Sequence, residues 1–115
     1  MAPTLYVNET KAESTITLHL SDRLEVSLPG NPTTGYEWML RAVDNSILEP
    51  RAGPAYQAKE DPGLEYIPGA GGRYTLRLKA IDCGESPVHL VYRRVFEPET
   101  VPPADEFRIF VRVVP

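Results

Sequence analysis

The chain has 115 residues, 42% of them hydrophobic and 24% charged, with 12 Lys+Arg against 16 Asp+Glu for a formal net charge of −4. That length suits one domain spanning residues 1–115, and the scattered basic residues of a mildly acidic chain exclude nucleic acid, whose phosphates demand clustered Lys and Arg. One cysteine, Cys83, excludes an intramolecular disulfide, and no apolar run is long enough to span a bilayer, so no membrane partner is expected.

The start Met1-Ala2-Pro3-Thr4-Leu5 is not a signal peptide as written, which leaves open both a cytoplasmic location and export after removal of a leader. Twelve prolines and eight glycines imply many short segments separated by turns. The first of these is marked by strict alternation. Ile16, Leu18 and Leu20 share one face while Thr15, Thr17 and His19 take the other, the two-residue period of a half-buried strand. After Ser21-Asp22 the pattern repeats with Leu24, Val26 and Leu28 inward, and it stops at Pro29-Gly30. These two runs read as a hairpin.

Tyr36, Trp38 and Leu40 alternate with Glu37, Met39 and Arg41 in a third strand rich in aromatics, which suit a pleated surface. From Asp44 to Pro68 the periodicity fails and prolines recur at 50, 54, 62 and 68; only Ala55 to Lys59 looks extended, so this reads as a long irregular connection with one short strand. Order returns with Tyr74, Leu76, Leu78 and Ala80 inward. A turn at Asp82-Cys83-Gly84-Glu85 leads to Val88, Leu90 and Tyr92, and the closing run sets Phe107, Ile109, Val111 and Val113 inward. Six or seven strands and no helix are expected. Short strands with one apolar face need a second sheet to cover it, so the fold class is all-β and a β-sandwich is the economical architecture, with a small barrel as the alternative; an immunoglobulin-like β-sandwich without a disulfide is compatible with the lone cysteine.

Catalytic chemistry finds no support in the residues. His19 and His89 are isolated on different strands at positions that alternate with the apolar set, which reads as surface or sheet-edge imidazole, and Cys83 sits in a turn. No metal or other cofactor is expected. There is no G-x-S-x-G elbow, no C-x-x-C and no phosphate loop, and acidic pairs such as Glu60-Asp61 fall in Pro-rich loops.

Three loops are more informative. In Asn31-Pro32-Thr33-Thr34-Gly35-Tyr36, Pro32 fixes its own φ and pushes Asn31 toward extended backbone, so an amide and two hydroxyls stand on a stiffened tip. Gly69-Ala70-Gly71-Gly72 has almost no side chains and lets another backbone approach closely. Arg94-Val95-Phe96 ends an apolar strand with two residue types that anchor interfaces. Each taken alone is also an ordinary turn.

Taken in order, the three loops resemble the chagasin family of cysteine protease inhibitors. Asn31 to Tyr36 is similar to its N-P-T-T-G-[aromatic] signature, Gly69 to Gly72 to its glycine-rich loop, and Arg94-Val95-Phe96 to its Arg-Pro-[Trp/Phe], with Val95 in place of proline and Arg93 adding a second charge. The resemblance implies a reversible, competitive inhibitor of papain-like cysteine proteases (papain and cathepsin L-type enzymes) and no enzymatic activity. By the same carry-over, the first loop lies over the catalytic cysteine with Thr33 and Thr34 closest. The glycine-rich loop runs along the unprimed subsites, and Arg94 and Phe96 pack on the primed side. A monomer is expected, because symmetric association through these loops would hide them. The rival reading is a generic immunoglobulin-like binding or adhesion module that recognises carbohydrate on Tyr and Trp platforms; Trp38 shares a face with Tyr36 and Leu40, which places it in the core and weakens that rival.

Overall fold

The structure is a computed structural model that describes residues 3–31, 35–58, 72–98 and 100–115. Eight strands are present among the described residues: β1 Thr4–Asn8, β2 Thr15–His19, β3 Arg23–Gly30, β4 Tyr36–Val43, β5 Leu48–Ala58, β6 Gly72–Ala80, β7 Gly84–Arg94 and β8 Asp105–Val114. A 3-10 turn, Glu9–Lys11, follows β1, and the Asn8 side chain caps it by accepting from the Thr10 N–H. The strands form two four-stranded sheets, in the orders β1-β3-β6-β5 and β2-β8-β7-β4. β1 runs parallel to β3 and β2 parallel to β8; the other pairs are antiparallel.

The alternation predicts the core well. Leu24, Val26 and Leu28 from β3 and Leu76 and Leu78 from β6 face Leu18, Trp38, Val88, Leu90, Phe107, Ile109 and Val111 of the other sheet in one buried cluster. Each fully buried Leu or Ile side chain contributes about 1.5–3 kcal/mol of transfer free energy. With no disulfide available, this cluster holds the sheets together, as in an immunoglobulin-like sandwich.

The expected hairpin of β2 and β3 does not form. Leu20 donates its N–H to Val114 O in the β2 sheet, and the next residue, Ser21, donates to Ala80 O in the β3 sheet. The chain therefore crosses between sheets within one peptide unit, helped by a left-handed Ser21 (φ 77°). Leu20, expected inside, is 44% exposed because it lies past the end of the strand. The irregular stretch after Asp44 also proves to contain more order than expected. β5 spans eleven residues and pairs with β6 through register shifts at Pro50/Ala52 and Ala52/Ala55. It is an edge strand, where a proline's missing N–H costs no ladder bond on the outer side. β1 escapes the periodicity because Val7 alone is buried in it.

Candidate functional site

The register brings the three singled-out segments to one end of the sandwich. Gly30, where β3 ends, pairs with Gly72, where β6 begins, and Tyr36, where β4 begins, pairs with Arg94, where β7 ends. Asn31, Gly35, Tyr36, Gly72, Arg94, Val95 and Phe96 are thus at or beside that end. Pro32, Thr33, Thr34, Gly69, Ala70 and Gly71 lie outside the described residues.

The stem of the first loop is held by aromatic side chains from both sheets. The Tyr92 hydroxyl accepts from the Asn31 N–H (2.9 Å) and donates to the Asn31 carbonyl (3.2 Å), a link across 61 residues of chain. The Trp38 indole N–H donates to Pro29 O (2.9 Å), and the Tyr74 hydroxyl donates to Tyr36 O (3.2 Å). Tyr92 lies between Tyr36 (centroids 5.2 Å apart, 20° between planes) and Trp38 (5.1 Å, 37°), so the rings that supply the hydrogen bonds also brace one another. Burial, reinforced by the Glu37 carboxylate, pushes the Tyr74 phenol up to about 12, which keeps it a neutral donor throughout the neutral range. Gly30 leaves the space these rings need: a Cβ there would meet Tyr74 Cε2 at 2.6 Å and Tyr92 Cε1 at 3.4 Å.

The third loop packs against the first. Gly35 is left-handed (φ 87°), and a Cβ there would stand 2.9 Å from Phe96 Cε1, so the phenyl ring lies against bare backbone. The Arg94 guanidinium carbon sits 4.7 Å from the Tyr36 ring centroid and 5.9 Å from that of Phe96, and Nη1 approaches Glu97 Oε1 at 3.4 Å. Despite these contacts Phe96 is 71% exposed and Val95 56%. Arg93 behaves differently from its neighbour. It is buried, and its Nη2 donates to the carbonyls of Glu97 and Pro98, both at 2.9 Å.

Among the described residues no group of three or more His, Cys, Asp or Glu side chains could hold a metal ion. Cys83 is exposed in the turn before β7. His19 is exposed beside Asp22. His89, expected at the surface, is instead mostly buried, its Nε2 3.8 Å from Glu106 Oε2 on the neighbouring strand. The loop end offers a different property, a pair of exposed apolar side chains, Val95 and Phe96, on one short, braced loop, which suits docking. Sequence reasoning missed the braces Tyr92, Tyr74 and Arg93. Their alternation marks Tyr92 and Tyr74 as inward-facing, but only the fold shows their hydroxyls meeting the backbone of loops far away in the chain.

The described residues form a disulfide-free, immunoglobulin-like sandwich whose braced strand ends gather at one end, the architecture of a loop-presenting domain. A family model for chagasin family peptidase inhibitors (I42) matches residues 17–111. Amoebiasin-1 of Entamoeba histolytica is 34% identical over 95 residues, covering 80% of this chain and 84% of that protein. The crystal structure of the cysteine protease inhibitor EhICP2 from Entamoeba histolytica superposes with a TM-score of 0.78 over 98% of this chain and 97% of that one; at 18% identity this likeness concerns the fold. The solution structure of amebosin is similar with a TM-score of 0.71 and 32% identity over 99% of both chains. The chain belongs to the chagasin family of peptidase inhibitors. It is accordingly a peptidase inhibitor and not an enzyme.

Proposed function

We propose that residues 1–115 act as one inhibitor domain that blocks the active-site cleft of papain-like cysteine proteases, reversibly and competitively, with the loops at residues 31–36, 69–72 and 94–96. The observation that carries this reading is the packing of Phe96 on Gly35: it joins parts of the first and third loops into one surface while leaving most of the phenyl ring exposed. Loops held from behind lose less conformational entropy on docking, so more of the contact energy appears as affinity. An interface of this kind buries about 800 Å² on each partner, with the energy concentrated in a few central side chains. Phe96 and Arg94 are the anchors, Phe96 by apolar area and Arg94 by directional hydrogen bonds. Asn31 to Tyr36 covers the catalytic cysteine, and Gly69 to Gly72 offers main-chain groups to the unprimed side. The carbohydrate-binding alternative loses its main platform, because Trp38 is in the core with its indole N–H committed to Pro29 O.

The test is a titration of the purified, folded protein against papain and a cathepsin L-type enzyme, with a serine protease as control, following a fluorogenic peptide. Reversible inhibition of the cysteine enzymes, relieved by excess substrate, is expected. No inhibition at micromolar concentration overturns the reading.

A further inference from the structure

The alternation of β7 puts Arg93 on the outer face of its sheet, together with Glu85, Pro87, His89 and Val91, yet Arg93 is only 7% exposed and Val91 only 3%. An arginine is rarely buried so fully unless its donors find acceptors. Here Nη2 donates to the carbonyls of Glu97 and Pro98, residues that lie beyond Phe96 in the chain. The guanidinium therefore closes a short ring of backbone containing Arg94, Val95 and Phe96. Two main-chain bonds tighten the same segment, from Glu97 N–H to Arg94 O (3.2 Å) and from Ala104 N–H to Tyr92 O (2.8 Å). Val95 and Phe96 at the tip of the ring are 56% and 71% exposed, so their own packing does little to hold them.

We propose that Arg93 is a positioning residue: it touches no protease, but orders the third loop so that Phe96 is presented in its docking orientation. This rests on the inhibitor reading above. The two consecutive arginines then have separate tasks. Arg94 flanks the binding surface beside Tyr36 and Phe96, and Arg93 supports it from the opposite face of the strand. Charge-assisted hydrogen bonds to two carbonyls suit the second task, since they are directional and stronger than neutral ones. Without them the loop would have to be ordered at the moment of binding, and the cost would appear mainly in the dissociation rate.

The test measures dissociation from papain for the unsubstituted protein, Arg93→Met, Arg93→Lys, Phe96→Ala and the double variant Arg93→Met/Phe96→Ala, well below the thermal midpoint of each. Arg93→Met should dissociate about tenfold faster. Arg93→Lys, which keeps a charged donor for the carbonyls, should recover part of the loss. In the Phe96→Ala background, Arg93→Met should add less than about a twofold change, because its effect runs through Phe96. Equal rates for Arg93→Met and the unsubstituted protein overturn the proposal, as do effects that simply multiply in the double variant. Failure of the unsubstituted protein to inhibit would instead sink the inhibitor reading. Amide exchange of residues 95–97 in Arg93→Met would then decide the ordering on its own, and unchanged exchange would overturn it.

Discussion

The two ends of the sandwich differ in the balance between main-chain and long-range side-chain ties. At the end away from the three loops, main chain ties directly to main chain: Ser21 N–H to Ala80 O, Ala80 N–H to Asp22 O, Ile81 N–H to Ile47 O and Leu48 N–H to Asp44 O, each at 2.9 Å. At the loop end, side chains reach out from the strands and hold the backbone from behind, through Tyr92, Trp38, Tyr74 and Arg93. A turn stitched by its own backbone has spent its polar groups on itself and presents a closed surface. A loop braced from behind keeps its outer face for a partner and stays ordered. On the proposed reading, the loop end gains preorganisation from residues that lie behind the protease contact.

That contrast can be broken by substitution. The largest effect is expected for Trp38→Ala, which removes a core ring and the bond to Pro29 O; it should cost about 3–5 kcal/mol in denaturant unfolding and disorder the first loop. Tyr92→Phe comes next, at about 1–3 kcal/mol, because both the N–H and the carbonyl of Asn31 lose their bond to the Tyr92 hydroxyl. Its counterpart at the far end is Ser86→Ala, which deprives the Asp44 N–H of the Ser86 hydroxyl. If bracing serves docking, Tyr92→Phe weakens papain inhibition and Ser86→Ala leaves it unchanged in the folded protein; equal losses from the two would erase the distinction between the ends.

Gly35→Ala should cost about 1–2 kcal/mol for the left-handed backbone. Its methyl also pushes Phe96 aside, so the inhibition constant should rise by more than the stability loss accounts for. Glu97→Gln, which weakens a partly exposed pair with Arg94, should change stability by less than about 1 kcal/mol, and added salt should shrink the difference. The titration of Tyr74 has no effect at neutral pH. Its folded pKa is raised, so the unfolded state loses its proton first, and stability should fall as pH climbs from 10 toward 12. Tyr74→Phe should fall less steeply over that window in denaturant titrations.

Much of the fold is legible in the chain because six segments turn one mainly apolar face inward, and such a face leaves a two-residue period. What the period cannot carry is sheet membership. The runs before and after Ser21 look the same whether they pair with each other or cross to opposite sheets, and the deciding hydrogen bonds go to Val114 and Ala80, far along the sequence. β5 is hidden by prolines that an edge strand tolerates, and β1 by having one buried residue. The loops of the site are legible because each places unusual residues together. Their supports are not, since Tyr92 reads as one more inward residue and Arg93 as one more surface charge until the chain folds back over them.

The central claim is that the protease meets the loop end. Amide hydrogen exchange of the protein, free and bound to active-site-blocked papain, tests it most directly. Protection concentrated at residues 31–36, 69–72 and 94–97, with Ser21, Ile47 and Cys83 exchanging as in the free protein, is the predicted result. Protection at the main-chain-stitched end, or along an exposed sheet edge with the loops unchanged, would contradict it.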